Sequence, residues 1–154
     1  MDKTYRQYKL KSYLNMNHFI IIDDKPGEVH PHTWELIVSV ISAQSDMTPF
    51  TNIERKIEGI LDQYQDKLLN DCKPFDKLVP TVENAAKYFF RLIQDKIITE
   101  GWILMMLEVS ETPTRSYIIN ALLNEDDIWD EWYENISRKN MGNIKDIELE
   151  EIEI

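Results

Sequence analysis

His18, His30 and His32 are the only histidines in this chain of 154 residues, and the last two form an H-x-H pair. On a strand, residues i and i+2 point to the same face, roughly 7 Å apart along the chain. Two imidazoles so placed can converge on one ion. His18 closes an earlier stretch of alternating pattern, and antiparallel pairing of the two segments can bring it alongside. Three imidazoles plus one open position is the arrangement of catalytic zinc, where the open position takes a water or a substrate oxygen. Each ligand must be a neutral imidazole whose other N–H finds an acceptor. Asp23, Asp24 and Glu35 are the acids nearest in sequence. H-x-H alone is a weak signal, and each histidine taken singly reads as an ordinary surface or core residue.

The elements that must position these side chains follow from periodicity. Tyr8, Leu10, Ser12, Leu14, Met16 and His18 share one parity, which predicts a strand over 5–18. A second strand is expected over about 32–42, with Trp34, Leu36, Val38 and Val40 on one face and β-branched residues throughout. Asp23-Asp24-Lys25-Pro26-Gly27 reads as a loop. Thr51-Asn52-Ile53-Glu54 is a capping box, and Ile53, Ile57, Ile60, Leu61, Tyr64 and Leu68 follow with helical spacing, interrupted by Gly59. A second helix opens at Pro80-Thr81-Val82-Glu83-Asn84 with Thr81 as its N-cap, and buries Ala85, Ala86, Phe89, Phe90, Ile93 and Ile97. Two further strands are expected, over 102–110 and 116–122. The order strand, strand, helix, helix, strand, strand predicts an α+β fold, with an antiparallel four-stranded sheet and both helices on one face.

Charge is unevenly placed. The net charge is −11, and residues 123–154 hold eleven acids against three bases. We read residues 1–122 as one near-neutral domain and 123–154 as an acidic extension. An extra helix is expected over 124–138, capped by Asn124 and striped by Ile128, Trp129, Trp132, Tyr133 and Ile136. The acidity argues against nucleic acid as a partner. The longest apolar runs fall well short of the ~20 residues that span a membrane, and residues 1–6 carry no apolar core of a signal peptide. A single cysteine, Cys72, excludes an intrachain disulfide and fits a reducing, cytoplasmic setting.

Four segments carry a resemblance: Leu14-Asn15-Met16-Asn17-His18; His30-Pro31-His32-Thr33-Trp34; Leu69-Asn70 with Pro80-Thr81-Val82-Glu83-Asn84; and Val109-Ser110-Glu111-Thr112 with Tyr117. In this order they resemble the 6-pyruvoyl-tetrahydropterin and 6-carboxy-tetrahydropterin synthase family over about residues 5–121. The resemblance places His18, His30 and His32 on the family's metal positions and implies Zn2+. It implies the T-fold, self-association as trimers or hexamers, and a pterin-like ligand. Glu111 takes the anchor role, its carboxylate accepting two parallel N–H bonds from the ring. Thr81, already explained as a helix cap, would help to hold the ring.

The chain departs from the family pattern at the proton-transfer residues. The usual catalytic cysteine lies just before the first histidine of the family's H-G-H motif, and residues 24–30 contain none. Pro31 replaces the motif glycine. The family's Asp-His pair falls on Gln65 and Asp66, or with a one-residue slip on Asp66 and Lys67, so its histidine is absent. Glu28 and Asp66 are the remaining candidate bases. Some family members carry a glutamate in place of the cysteine and cleave the dihydroneopterin side chain. Two functions follow: a zinc-dependent lyase acting on a dihydroneopterin-type substrate, or a catalytically inactive relative that binds a pterin- or purine-like ring. Relatives of the second kind occur beside cell-surface glycosylation and sorting proteins.

Overall fold

The computed structural model describes residues 7–42 and 50–121. The elements run β1 (Gln7–His18), β2 (Ile21–Ile22), β3 (Lys25–Pro26), β4 (His30–Ser42), α1 (Phe50–Asp62), β5 (Lys67–Leu68), α2 (Val82–Ile97), β6 (Trp102–Thr112) and β7 (Arg115–Asn120). The main sheet has the order β5-β1-β4-β6-β7, antiparallel except where β5 joins β1. The expected α+β order is present, with β5 added as a short fifth strand at the edge. The helix expected over 124–138 and the acidic extension lie outside the described residues.

Alternation decides which face of the sheet is covered. Leu14 and Met16 of β1, and Trp34, Leu36, Val38 and Val40 of β4, are buried on one face. The two helices lay their apolar stripes there, Ile53, Ile57, Ile60 and Leu61 from α1 and Ala85, Ala86, Phe89, Phe90, Ile93 and Ile97 from α2. A fully buried Phe or Leu stabilises the fold by about 1.5–3 kcal/mol, so this layer holds the sheet in register. β1 and β4 pair without a break from Gln7↔Ile41 to His18↔His30.

Three boundaries differ from the sequence expectations, each for a local reason. β4 begins at His30 rather than His32, because His18 on β1 pairs with His30 directly. α1 begins at Phe50, which places Thr51 inside the first turn; the Phe50 ring packs against Tyr8 and Trp102, with centroids 4.7 and 5.9 Å away. α1 ends at Asp62, so Leu68 leaves the helical stripe and sits in β5. The loop at 23–27 is a tight hairpin. Asp23 and Asp24 take φ of 51° and 60° between β2 and β3, left-handed values that aspartate tolerates better than most side chains. Gly101, at φ 83°, terminates the turn that follows α2.

Candidate metal centre

Strand register brings the three histidines together. His18 and His30 face each other across β1 and β4, and His32 lies two residues further along β4 on the same face. Their ring centroids are 4.5 Å apart (His18–His30), 5.0 Å (His18–His32) and 4.8 Å (His30–His32). β6 runs on the other side of β4 and adds Glu111, whose Oε1 lies 3.3 Å from His32 Nε2 and 3.8 Å from His18 Nε2. One potential ligand atom from each of the four residues lies within 4.8 Å of every other.

Two of the rings are locked in one orientation. His18 Nδ1 is 2.8 Å from the Pro80 carbonyl, and His30 Nδ1 is 2.9 Å from the Glu28 carbonyl. A carbonyl only accepts, so each Nδ1 carries the proton and donates it. Nε2 of each neutral ring then bears a free lone pair, the tautomer a metal requires. The acceptors are therefore backbone carbonyls, not the acids nearest in sequence; Glu35 instead accepts from the Tyr13 hydroxyl at 3.1 Å.

His18 is fully buried, and its Nε2 has no hydrogen-bond partner. An orphaned buried polar atom costs about 1–3 kcal/mol. A metal ion at the meeting point of the four side chains would satisfy it, and a set of three imidazoles and one carboxylate suits zinc. Burial also lowers the pKa of His18, against the opposing pull of the Pro80 carbonyl, and the neighbouring imidazoles lower it further. Burial lowers that of His32 too, with Glu111 acting the other way. Both effects favour the neutral, metal-ready ring.

The other sequence-derived candidates are dispersed around this centre. Glu28 is exposed between β3 and β4, and its carbonyl is what holds His30. Asp66 is exposed in the turn after α1 at φ 58°, and its N–H donates to the Asn15 carbonyl at 2.7 Å. Asp66 and His32 line the same open cleft, together with Asn15, Asn17, Pro31 and Thr33. Thr81 caps α2, its hydroxyl accepting from Asn84 N–H at 3.1 Å. The preceding residue, Pro80, supplies the carbonyl for His18. One short stretch thus both starts a helix and orients a ligand.

Further residues support the site. Asn70 grips the chain just past His18: its Oδ1 accepts from Phe19 N–H at 2.9 Å, and its Nδ2 donates to the Phe19 carbonyl at 3.0 Å. Gln65 clamps the edge of β1 in the same way, donating to the Tyr13 carbonyl at 2.7 Å and accepting from Asn15 N–H at 2.9 Å. Arg115 Nη2 donates to Glu111 Oε2 at 2.8 Å. The order of Leu69-Asn70 in the resemblance was a signal for Asn70. Nothing in the sequence pointed to Arg115.

The sequence profile of the 6-pyruvoyl tetrahydropterin synthase family matches residues 7–121. No curated protein matches. Among solved structures, the fold is similar to Caenorhabditis elegans 6-pyruvoyl tetrahydropterin synthase, at 14% identity and a TM-score of 0.65, covering 77% of this chain and 97% of that one. The Plasmodium falciparum synthase matches at 13% identity and TM-score 0.59, covering 79% and 100%. The Plasmodium vivax synthase, in a form whose catalytic glutamate is replaced by alanine, matches at 16% identity and TM-score 0.60, covering 76% and 98%. At these identities the structural likeness speaks for the fold, and the profile match speaks for kinship. The chain belongs to the 6-pyruvoyl tetrahydropterin synthase family.

Proposed function

We propose that this protein is a zinc-dependent lyase of the pterin synthase type, acting on a dihydroneopterin-type substrate. One observation carries the reading: three imidazoles meet at one point, two with their Nδ1–H groups held by carbonyls, and the innermost Nε2 is buried without a partner. Zinc would be held by His18, His30 and His32, and when bound would polarise substrate oxygens. Glu111, at the rim of the cluster, would anchor the ring through its carboxylate, with Thr81 alongside. Glu28 or Asp66 would move the protons. The Plasmodium vivax relative has a catalytic glutamate, the residue type of Glu28; the cleft that Asp66 shares with His32 favours Asp66.

A second reading, a metal-bearing relative that binds a pterin- or purine-like ring without turnover, is favoured by the absence of cysteine from residues 24–30 and by the exposure of both candidate bases. Self-association as a trimer or hexamer in the cytoplasm fits either reading. Tyr13 and Ile118 are 53% and 49% exposed on the sheet face opposite the helices, and no described helix is long and apolar enough to cross a membrane.

The test is to incubate zinc-loaded protein with dihydroneopterin triphosphate and with dihydroneopterin, following both products and binding. Turnover that is abolished by Glu28→Gln or by Asp66→Asn supports the lyase and identifies its base. Binding without turnover supports the second reading. Neither binding nor turnover would overturn both.

A further inference from the structure

We propose that Glu111 is the fourth ligand of the metal centre and that Arg115 is the positioning residue that keeps it there. The inference rests on the metal site proposed above, and adds that the resting centre is closed by the chain itself.

The acceptors at the centre are mismatched. His18 spends its only proton on the Pro80 carbonyl, so its Nε2 presents a lone pair. Facing that lone pair at 3.8 Å is a carboxylate oxygen, Glu111 Oε1. The separation is too long for a hydrogen bond, and two acceptors aimed at each other repel. The same oxygen approaches His32 Nε2 at 3.3 Å. A cation among these atoms, with the carboxylate oxygen as one of its donors, would turn the repulsion into attraction and satisfy His18 Nε2 at the same time.

The carboxylate is also held in a way that leaves one oxygen free. Glu111 lies near the end of β6, where the register to β7 shifts between Ser110 and Thr112, and Pro113-Thr114 turns the chain back to Arg115. The Arg115 side chain, 70% exposed, reaches over this turn to Oε2 at 2.8 Å, while the Glu111 side chain is only 12% exposed. Oε2 is thus tied on the outer side, and Oε1 alone is left aimed inward. The carboxylate can give the metal one oxygen, which completes a set of four donors.

A zinc site filled by four protein ligands is closed, whereas a catalytic one keeps a position open. Glu111 cannot fill that position and anchor a ring at the same time, because an anchor must accept two parallel N–H bonds with both oxygens. A ring with adjacent N–H donors would have to draw the carboxylate from Arg115 and from the metal together. Ring binding would thereby free the fourth position for a substrate oxygen.

The test replaces zinc by Co(II) in the full chain and records its visible absorption, which is strong for four-coordinate cobalt and weak when further waters bind. Wild type should give the strong bands. Glu111→Gln should shift and weaken them, as water takes the place of the carboxylate, and bind Co(II) at least ~10-fold more weakly. Arg115→Gln should shift the bands and weaken binding by about 10-fold, the scale on which residues that hold a ligand act. Arg115→Lys should restore most of both. Dihydroneopterin added to wild type should shift the spectrum toward that of Glu111→Gln. If the Glu111→Gln spectrum and affinity match wild type, the inference is overturned, and its dihydroneopterin affinity, measured separately, still tests the ring anchor. If Glu111→Gln behaves as expected but wild type does not bind dihydroneopterin, the fourth ligand stands and the pterin reading fails.

Discussion

The two halves of the candidate site are built to different standards. The metal half lies where β1, β4 and β6 run side by side, and each ring there has a fixed neighbour: His18 on Pro80, His30 on Glu28, His32 beside Glu111. The proton-transfer half consists of two exposed acids in turns, Glu28 after the 23–26 hairpin and Asp66 after α1. A ligand set tolerates little displacement, because metal bonds are short and directional. A base needs only to come within hydrogen-bond reach of its proton, and often does so once substrate is bound. Strand register fixes the candidate metal ligands, while the candidate acid–base residues sit in turns that register does not control.

The largest effect should come from breaking the metal half at its centre. His18→Ala would empty a fully buried position and leave the Pro80 carbonyl without its donor. We expect a loss of about 2–4 kcal/mol in the metal-free protein, read by urea unfolding, together with loss of zinc binding. Acid should act through the same residue. The His18 and His32 values are lowered in the fold, so below the ordinary value of 6.5 the unfolded chain binds more protons than the folded one. Stability of the metal-free protein should be fully present above that value and fall as pH drops below it. Unfolding midpoints at a series of pH values check the sign; a metal-free protein stabilised on going below pH ~6 would contradict it.

An intermediate effect tests the link between the metal half and its support. Asn70→Ala removes both bonds to Phe19. It should cost about 1–2 kcal/mol and weaken zinc binding, because His18 sits one residue from the point of grip. Unchanged zinc affinity with reduced stability would show that the grip serves the fold alone.

Much of the metal half was legible in the sequence, because strand alternation and an H-x-H pair are both period-two signals. Parity put Leu14, Met16 and His18 on one face and Trp34, Leu36 and Val38 on the matching one. The supports were not legible. A backbone carbonyl such as that of Pro80 has no side-chain signature. The Glu111–Arg115 pair depends on a register shift that no periodicity reports. β5 is two residues long, too short for any alternation to show. The capping box at Thr51 reads as a helix start, yet the helix includes Phe50, whose ring packs on Tyr8 and Trp102, a tertiary contact that no local motif reports.

Smaller effects separate fold from function. Gly59 lies exposed in α1, and a Cβ added there would meet nothing within 4 Å. Gly59→Ala should stabilise the protein by about 0.5–1 kcal/mol and leave zinc binding unchanged. At the bottom of the scale, Glu28→Gln and Asp66→Asn should each shift stability by no more than about 0.5 kcal/mol and leave zinc affinity intact. Their effect should appear in turnover alone, which would sharpen the contrast between a fixed metal half and an adaptable proton-transfer half.

If His18, His30 and His32 build one metal site, each chain should hold one ion. Elemental analysis of the purified protein, beside a His32→Ala control, checks this site at its ligands. One zinc per chain is expected in the wild type, with a large loss in the control. Wild-type protein without stoichiometric metal after incubation with zinc, or a control that retains as much as wild type, would contradict it.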